Sequence, residues 1–318
     1  MCVQIVIPNY NGLRYLQRCL DSVYNQNFNE VELIVVDNNS QDNSCEFIKR
    51  NYPDVKLINL SKNHGFAKAV NEGIKLAKGE YVVLLNNDTE VEKDWLKNLV
   101  ECIKKDKKIF SVSSKMIQYN NRNLIDDAGD EYTLLGWTFK IGEGESVNNY
   151  NEKKEIFSSC AGAAIYRKKI FDEIGYFDEN FFAYMEDVDI SYRAKSHGYK
   201  NIYCPDAVVY HIGSGTSGSR YNEFKIKLSA RNNVYVPYKN MPLFQLIINL
   251  PFLFLGFFIK YLFFLKKGFG KTYLEGLKEG ITTLNKIERV KYKNKNLLNY
   301  IKIELELVKN TFKYVFLN

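Results

Sequence analysis

The chain is 318 residues long with 46% hydrophobic and 25% charged residues, which supplies the core of one large or two modest domains and excludes a disordered chain or a mini-protein. Six cysteines, at 2, 19, 45, 102, 160 and 204, stand singly, without the paired spacing of a zinc site or the density of a disulfide scaffold, and fit a reducing compartment. The net charge of +7 sits in the tail: residues 266–318 hold twelve Lys and Arg against five Glu and the rest of the chain balances, whereas a nucleic-acid reader would carry its basic stripe on the folded domain.

In chain order, the run from Val3 to Ile7 has no basic region before it and meets Pro8 and Asn9 at once, so it reads as a buried first strand and not as a secretion signal. Over the first 120 residues, the runs QIVIPNYN, VELIVVDNNS, VKLINLSKN, EYVVLLNNDTE and IFSVSSKMI alternate with helical periodicity at 13–24, 44–51, 67–77 and 95–104. The alternation predicts an α/β fold, a mostly parallel sheet flanked by helices, with ligands bound beyond the carboxyl ends of the strands. Residues 120–155 are rich in Asn, Gly, Glu and Asp and read as a long excursion that orders over substrate. Apolar content returns with IFSSCAGAAIYRKKIFDEIGYFDENFF, a helix over 186–197 and a strand NIYCPDAVVYHI, which complete the sheet and supply the acceptor side.

The expected division is a domain over 1–235, with a ligand-binding half over 1–120 and an acceptor half over 121–235, followed by an apolar and Lys-rich helical tail over 236–318. Within that tail, residues 243–265 are strongly apolar with only Lys260 charged, with Lys239 before the run and Lys266, Lys267 and Lys271 after it. If positive flanks stay inside, both ends lie on one side. A re-entrant or interfacial helix pair broken near Pro251 is then expected ahead of a simple span; a buried C-terminal helix is the competing reading.

Three clusters carry chemistry. Pro8, Asn9, Tyr10 and Asn11 close the first strand, and Asp37, Asn38 and Asn39 close the second. A carboxylate among amides at adjacent strand ends suits the edges of a nucleobase and ribose, although Asn and Asp also make turns for backbone reasons alone. The fourth strand delivers Asn86, Asn87 and Asp88, an oxygen-rich tip of the kind that holds Mg²⁺ or Mn²⁺ beside a diphosphate. Asp88 is the candidate ligand, and a lone carboxylate needs a second protein ligand. His211 leaves the strand AVVYHI just before Gly213, Ser214, Gly215 and Thr216, a loop whose N–H groups suit phosphate oxygens; it is either that ligand or a hydrogen-bonded structural histidine. In YMEDVDISYR the helix dipole accounts for Glu186 and Asp189, and Arg193 lies four residues beyond Asp189 as an ion-pair partner. Asp187 shares its face with Ile190 and Ala194, so its carboxyl is expected to be desolvated, with a pKa raised towards use as a base.

Together, IPNYNG, VVDNNS, NHGFAKAVNEG, LLNNDTE, GYFDENFFAYMEDVDISYR and YHIGSGT resemble glycosyltransferase family 2, in particular its rhamnosyltransferase-like branch with the GT-A (Rossmann-like) fold. The resemblance covers roughly residues 1–235. It implies inverting, metal-dependent transfer of a single sugar from a nucleotide-sugar donor, dTDP-rhamnose first and UDP-hexoses next. The implied acceptor is a glycan or lipid-linked acceptor in cell-surface polysaccharide synthesis. The resemblance also implies that Asp37 contacts the base, that Asn63, Gly65, Phe66 and Asn71 line the donor pocket, that Asp88 and His211 bind Mn²⁺ or Mg²⁺, and that Asp187 is the catalytic base. Glu186 and Arg193 would orient the acceptor or support their helix. The usual aspartate-x-aspartate motif is Asn86-Asn87-Asp88 here: an amide keeps a ribose contact, while the metal depends more on His211. The basic tail points to an anionic membrane surface, at the cytoplasmic face.

Three rival functions share features with this sequence. A sugar nucleotidyltransferase needs a Gly-rich phosphate loop after its first strand, which IPNYNGLRYL lacks. A processive synthase carries several spans and a Gln and Arg-Trp acceptor motif; this sequence has one apolar run and no such motif. A non-catalytic membrane-bound scaffold with a degenerate transferase fold draws support from Asn86 and is opposed by Asp37, Asp88, Asp187 and His211.

Overall fold

The structure, a computed structural model, describes residues 2–28, 30–213 and 221–316. Its first part alternates β1 (Val3–Asn9), α1 (Leu13–Tyr24), β2 (Val31–Asp37), α2 (Ser44–Asn51), β3 (Lys56–Asn59), α3 (Phe66–Leu76) and β4 (Tyr81–Leu85). A short β5 (Thr89–Val91), α4 (Trp95–Lys104) and β6 (Ile109–Gln118) follow. The stretch read as an excursion is built instead from four short strands, β7 (Ile125–Asp127), β8 (Asp130–Tyr132), β9 (Thr138–Lys140) and β10 (Lys154–Ile156). Strands of three residues hold too few positions to show a period of two. Then come β11 (Ala163–Arg167), α5 (Lys168–Ile174), α6 (Glu186–Ser196), β12 (Lys200–His211), α7 (Glu223–Asn240), α8 (Leu243–Lys266), α9 (Gly270–Thr282) and α10 (Leu297–Phe316).

The main sheet runs β10-β12-β6-β11-β4-β1-β2-β3. It is mostly parallel, but β11 enters antiparallel between β4 and β6, and β5 pairs with the end of β12. Alternate residues divide between two apolar layers, as the pleat requires. Ile5, Ile7, Val35 and Val83 pack with Leu16, Trp95 and Leu99 on one face, and Val6, Ile34, Val82 and Leu84 pack with Val70, Phe171 and Ile190 on the other. Burial on both faces is why these strands are continuous apolar runs.

The tail differs from expectation in two respects. The expected boundary at residue 235 falls inside α7, and Tyr300, Ile303 and Leu307 of α10 join one core cluster with Tyr132, Phe157 and Tyr192. α8 is one continuous helix through Pro251 rather than a broken pair. Proline at this position removes the hydrogen bond to the carbonyl four residues back, and that residue, Ile247, is on the exposed side.

Candidate active site

The parallel register sets Asn9 beside Asp37 at the carboxyl ends of β1 and β2. There Asn87 donates to Asn9 Oδ1 at 2.7 Å, and Asn9 Nδ2 donates to Asp37 Oδ1 at 2.8 Å and to Ser40 Oγ at 3.1 Å. Ser40 returns two hydrogen bonds to the Asp37 carboxylate, from its hydroxyl at 2.6 Å and its N–H at 2.8 Å. Three strand ends are thereby locked into one polar ledge, with Pro8 and Tyr10 beside it in sequence and Asn11 in the left-handed region, its Oδ1 accepting from Gln41. Asn38 ties the ledge to the start of α3, donating to the Gly65 carbonyl and accepting from the His64 N–H, both at 2.9 Å. Asn63 accepts from the Gly65 N–H, and Phe66 opens the helix. Gly65 is required here: its φ is +85°, and a Cβ would stand 2.4 Å from the Phe182 carbonyl oxygen. Asn71 is not part of this pocket. It is buried with its amide donating to the Phe177 carbonyl at 2.8 Å and accepting from the Phe177 N–H at 3.1 Å, so it fixes a loop.

β5 turns the chain after Asp88 into an antiparallel pairing with β12 that sets Thr89 opposite His211. Asp88 Oδ1 thus lies 3.4 Å from His211 Nε2, while His211 Nδ1 is 2.8 Å from Asp126 Oδ2. Lys140 Nζ stands 3.3 Å from the same Asp126 oxygen. Burial pushes the imidazole down, but the hydrogen bonds to Asp126 and Asp88 outweigh it and raise His211 to about 9. Burial would raise Asp126, and its bonds to His211 and Lys140 hold it down at about 2. The residues fit a divalent ion that would displace the Nε2 proton on binding: two ligands each about 2.1 Å from one centre stand about 3 Å apart in octahedral geometry, and a carboxylate on the far imidazole nitrogen holds the remaining proton on Nδ1, the tautomer a metal-binding histidine needs. Among the described residues no group of three or more His, Cys, Asp or Glu side chains is placed to hold a metal alone, so such an ion would complete its shell with diphosphate oxygens and water. Ser214, Gly215 and Thr216 lie outside the described residues.

Asp187 opens α6 beside the turn that precedes β11. Its carboxylate accepts from the Val188 N–H at 2.8 Å and from the Ala161 backbone. The neighbouring Gly162 accepts from the Asn86 N–H at 2.8 Å, so the tip of β4 and Asp187 border one turn. Burial raises Asp187 to about 6. Glu186 is buried with Oε2 lacking a partner, and burial and the Asp187 charge raise it well above the carboxylate range. Arg193 does not face the cleft. It is 4% exposed, and its guanidinium donates to the carbonyls of Ile174, Gly175 and Tyr176 and to Asp189, so it supports α6 and cannot reach an acceptor.

The sequence reading missed one group. β7 to β9 bring Asp127, Asp130 and Lys140 alongside Asp126, close enough to Asp187 for the charges to interact. Burial raises Asp127 to about 6 and Asp130 well above the usual range. Three aspartates in the five residues Asp126–Asp130, within a stretch read as loop, are the signal that was available.

A family model described as glycosyl transferase family 2 matches residues 4–175, more than half the chain, stopping short of Asp187 and His211. A poly-beta-1,6-N-acetyl-D-glucosamine synthase of Staphylococcus epidermidis is 27% identical over 225 residues, covering 70% of this chain and 52% of the relative. The chain therefore spans about half the length of the curated relatives it matches. Among solved structures, GalNAc-T7 with UDP, GalNAc and Mn²⁺ aligns with a TM-score of 0.59 at 22% identity over 73% of this chain and 47% of that one. The S. aureus protein TarS in complex with UDP-GlcNAc aligns at 0.54 and 20% identity over 98% and 85%. Both are likenesses of fold.

Proposed function

The chain belongs to glycosyl transferase family 2 and is a glycosyltransferase, and from that premise we propose that it moves a single sugar, with inversion, from a nucleotide-sugar donor to a glycan or lipid-linked acceptor in cell-surface polysaccharide synthesis. The observation that carries the reading is the juxtaposition of Asp88 and His211, 3.4 Å apart, with the desolvated Asp187 bordering the same strand tip. The ledge of Asn9, Asp37 and Asn87 takes the base and ribose. Asn86 keeps a hydroxyl contact where a carboxylate is usual. A divalent ion, Mn²⁺ or Mg²⁺, would be held by Asp88 and His211 and would neutralise charge on the departing diphosphate.

Asp187 takes the proton of the acceptor hydroxyl as it attacks the anomeric carbon. A carboxylate shielded from water is a stronger base than an exposed one, and the N–H groups of Val188 and Ala161 hold its orientation. Because no enzyme nucleophile intervenes, one displacement inverts the centre. Lys140 and Asp130 border the sugar side of this pocket. For the donor, the motifs support dTDP-rhamnose, and the ligands carried by the structural neighbours support a UDP-sugar. The acceptor is met at the cytoplasmic face of the membrane, a reading supported by the apolar and basic tail. The absence of an Arg-Trp pair from the sequence supports single transfer over processive synthesis.

The test is donor turnover by the purified protein across dTDP- and UDP-sugars, with and without Mn²⁺ or Mg²⁺, alongside Asp187→Asn and His211→Ala. Metal-dependent release of nucleoside diphosphate from one donor, lost in both variants, is the expected result. No turnover of any donor, with membrane lipid present, would favour a non-catalytic scaffold and make Asn86 its cause.

A further inference from the structure

α8 is 24 residues long and apolar enough to cross a bilayer, yet it is fastened to the folded domain from end to end. Near its start, Gln245 and Asn249 donate to Glu304 of α10 at 2.7 and 2.9 Å, and the Tyr192 hydroxyl donates to Gln245 at 2.9 Å. At its middle, Gly256 lies on the β8–β9 turn and its carbonyl accepts from the Trp137 indole at 3.1 Å. Towards its end, Phe264 stacks on Tyr273 of α9 at 5.2 Å. A crossing helix would lose these polar contacts or draw the domain into hydrocarbon, and either is costly.

The outward face is apolar, with Phe254 68% and Phe258 57% exposed. α10 carries a second apolar stripe: Leu298, Ile301, Leu305 and Val308 are exposed at spacings of three and four, on the helix whose Glu304 grips α8. Both ends of α8 are basic. Lys266 closes it and Lys267 and Lys271 follow, and at its start Phe244 packs edge-on against Tyr292 at 5.8 Å, which brings the exposed Lys291 and Lys293 there. Cations at both ends of one apolar helix suit a helix lying flat on anionic headgroups and not one with its ends on opposite sides.

We infer that α8 lies in the plane of an anionic bilayer, with its outward face and the α10 stripe among the headgroups and upper acyl chains. Trp137 joins that plane to the pocket, because the hairpin it caps carries Asp130 and Lys140. The acceptor hydroxyl is therefore borne on a membrane lipid, the one part of the inference that rests on the transferase reading.

The experiment floats full-length protein with vesicles of phosphatidylcholine alone or with about one third phosphatidylglycerol, and extracts native membranes with alkaline carbonate. Expected are binding to the anionic vesicles alone, loss of binding from about 0.1 to about 1 M salt, and release by carbonate. Phe254→Ser with Phe258→Ser, at exposed positions that leave the core intact, should weaken binding roughly tenfold or more. Lys266→Gln with Lys267→Gln and Lys271→Gln should do so through charge alone. Retention in carbonate would overturn the in-plane placement in favour of a span, and a vesicle-free dimer disrupted by the Phe254/Phe258 pair would overturn it in favour of a second copy. Vesicle binding as expected with no donor turnover would support the docking and reject the transferase reading. Turnover of a soluble acceptor faster than of any lipid-borne one would reject the acceptor class.

Discussion

His211 illustrates how a single side chain acquires its role from three strands that are distant in sequence. β5 sets it against Asp88, and β7 supplies Asp126 behind it. Asp126→Asn keeps the shape but removes the charge that fixes the tautomer, so metal affinity measured by calorimetry should fall roughly 10- to 100-fold while the fold is unchanged. At Asp187, replacement by Asn should lower kcat by about 10²- to 10⁴-fold with donor affinity retained. Since burial raises this carboxyl to about 6 and a base works ionised, kcat/KM of the native protein should fall as pH drops through about 6, a limb that a pH-rate profile would detect. Asp88, His211 and Asp187 could be singled out from sequence because each stands at an element boundary next to an apolar run. Asp126, Asp127 and Asp130 offered only their crowding as a signal, and Lys140 none, since the strands that aim them are held by pairing with β6 and with each other and leave no periodicity to read.

Among the elements, α6 shows how interior charge is accommodated. Asp189 is fully buried with Arg193 at 2.7 Å, Lys239 at 3.1 Å and Asn240 at 2.9 Å. Burial alone would raise its carboxyl, and these partners hold it at about 2. A carboxyl depressed in the folded state stabilises the protein in full above about pH 4 and loses that contribution as pH falls towards its folded value. Asp189→Asn leaves the buried Arg193 without a counter-charge, while Lys239 keeps Asp178 at 2.7 Å, and should cost roughly 3 kcal/mol in denaturant unfolding, with the difference from wild type shrinking in acid. The ion pair of residues 189 and 193 was legible from their spacing; that it is buried, and so withdraws Arg193 from any acceptor, was not, because the loop carbonyls of residues 174–176 that enclose it come from a different part of the chain. Pro251 misled in the opposite direction: its cost is local and visible, whereas the contacts that hold the continuous α8 are made to α6, α9, α10 and the β8–β9 turn.

For the whole molecule, alternation of apolar runs and helices was enough to indicate a layered, mostly parallel sheet, since both faces of the central strands β1 and β4 are covered. Strand order was not available from it. β11 is the case in point: it occupies the middle of the sheet, antiparallel between β4 and β6, although it follows both in the chain. During synthesis, β4 and β6 therefore emerge with open edges and cannot be sealed until residues 163–167 have left the ribosome. Such late, long-range pairing slows folding and exposes sheet edges meanwhile. A fragment ending at residue 120 should accordingly aggregate rather than form a stable nucleotide-binding half, whereas one extended through Arg167 closes the gap and should remain more soluble, as sedimentation of the two expressed fragments would reveal. The halves that the sequence suggests as successive modules thus mature together, because the ledge at the ends of β1 and β2 and the pocket around Asp187 rest on one sheet that closes only when β11 arrives.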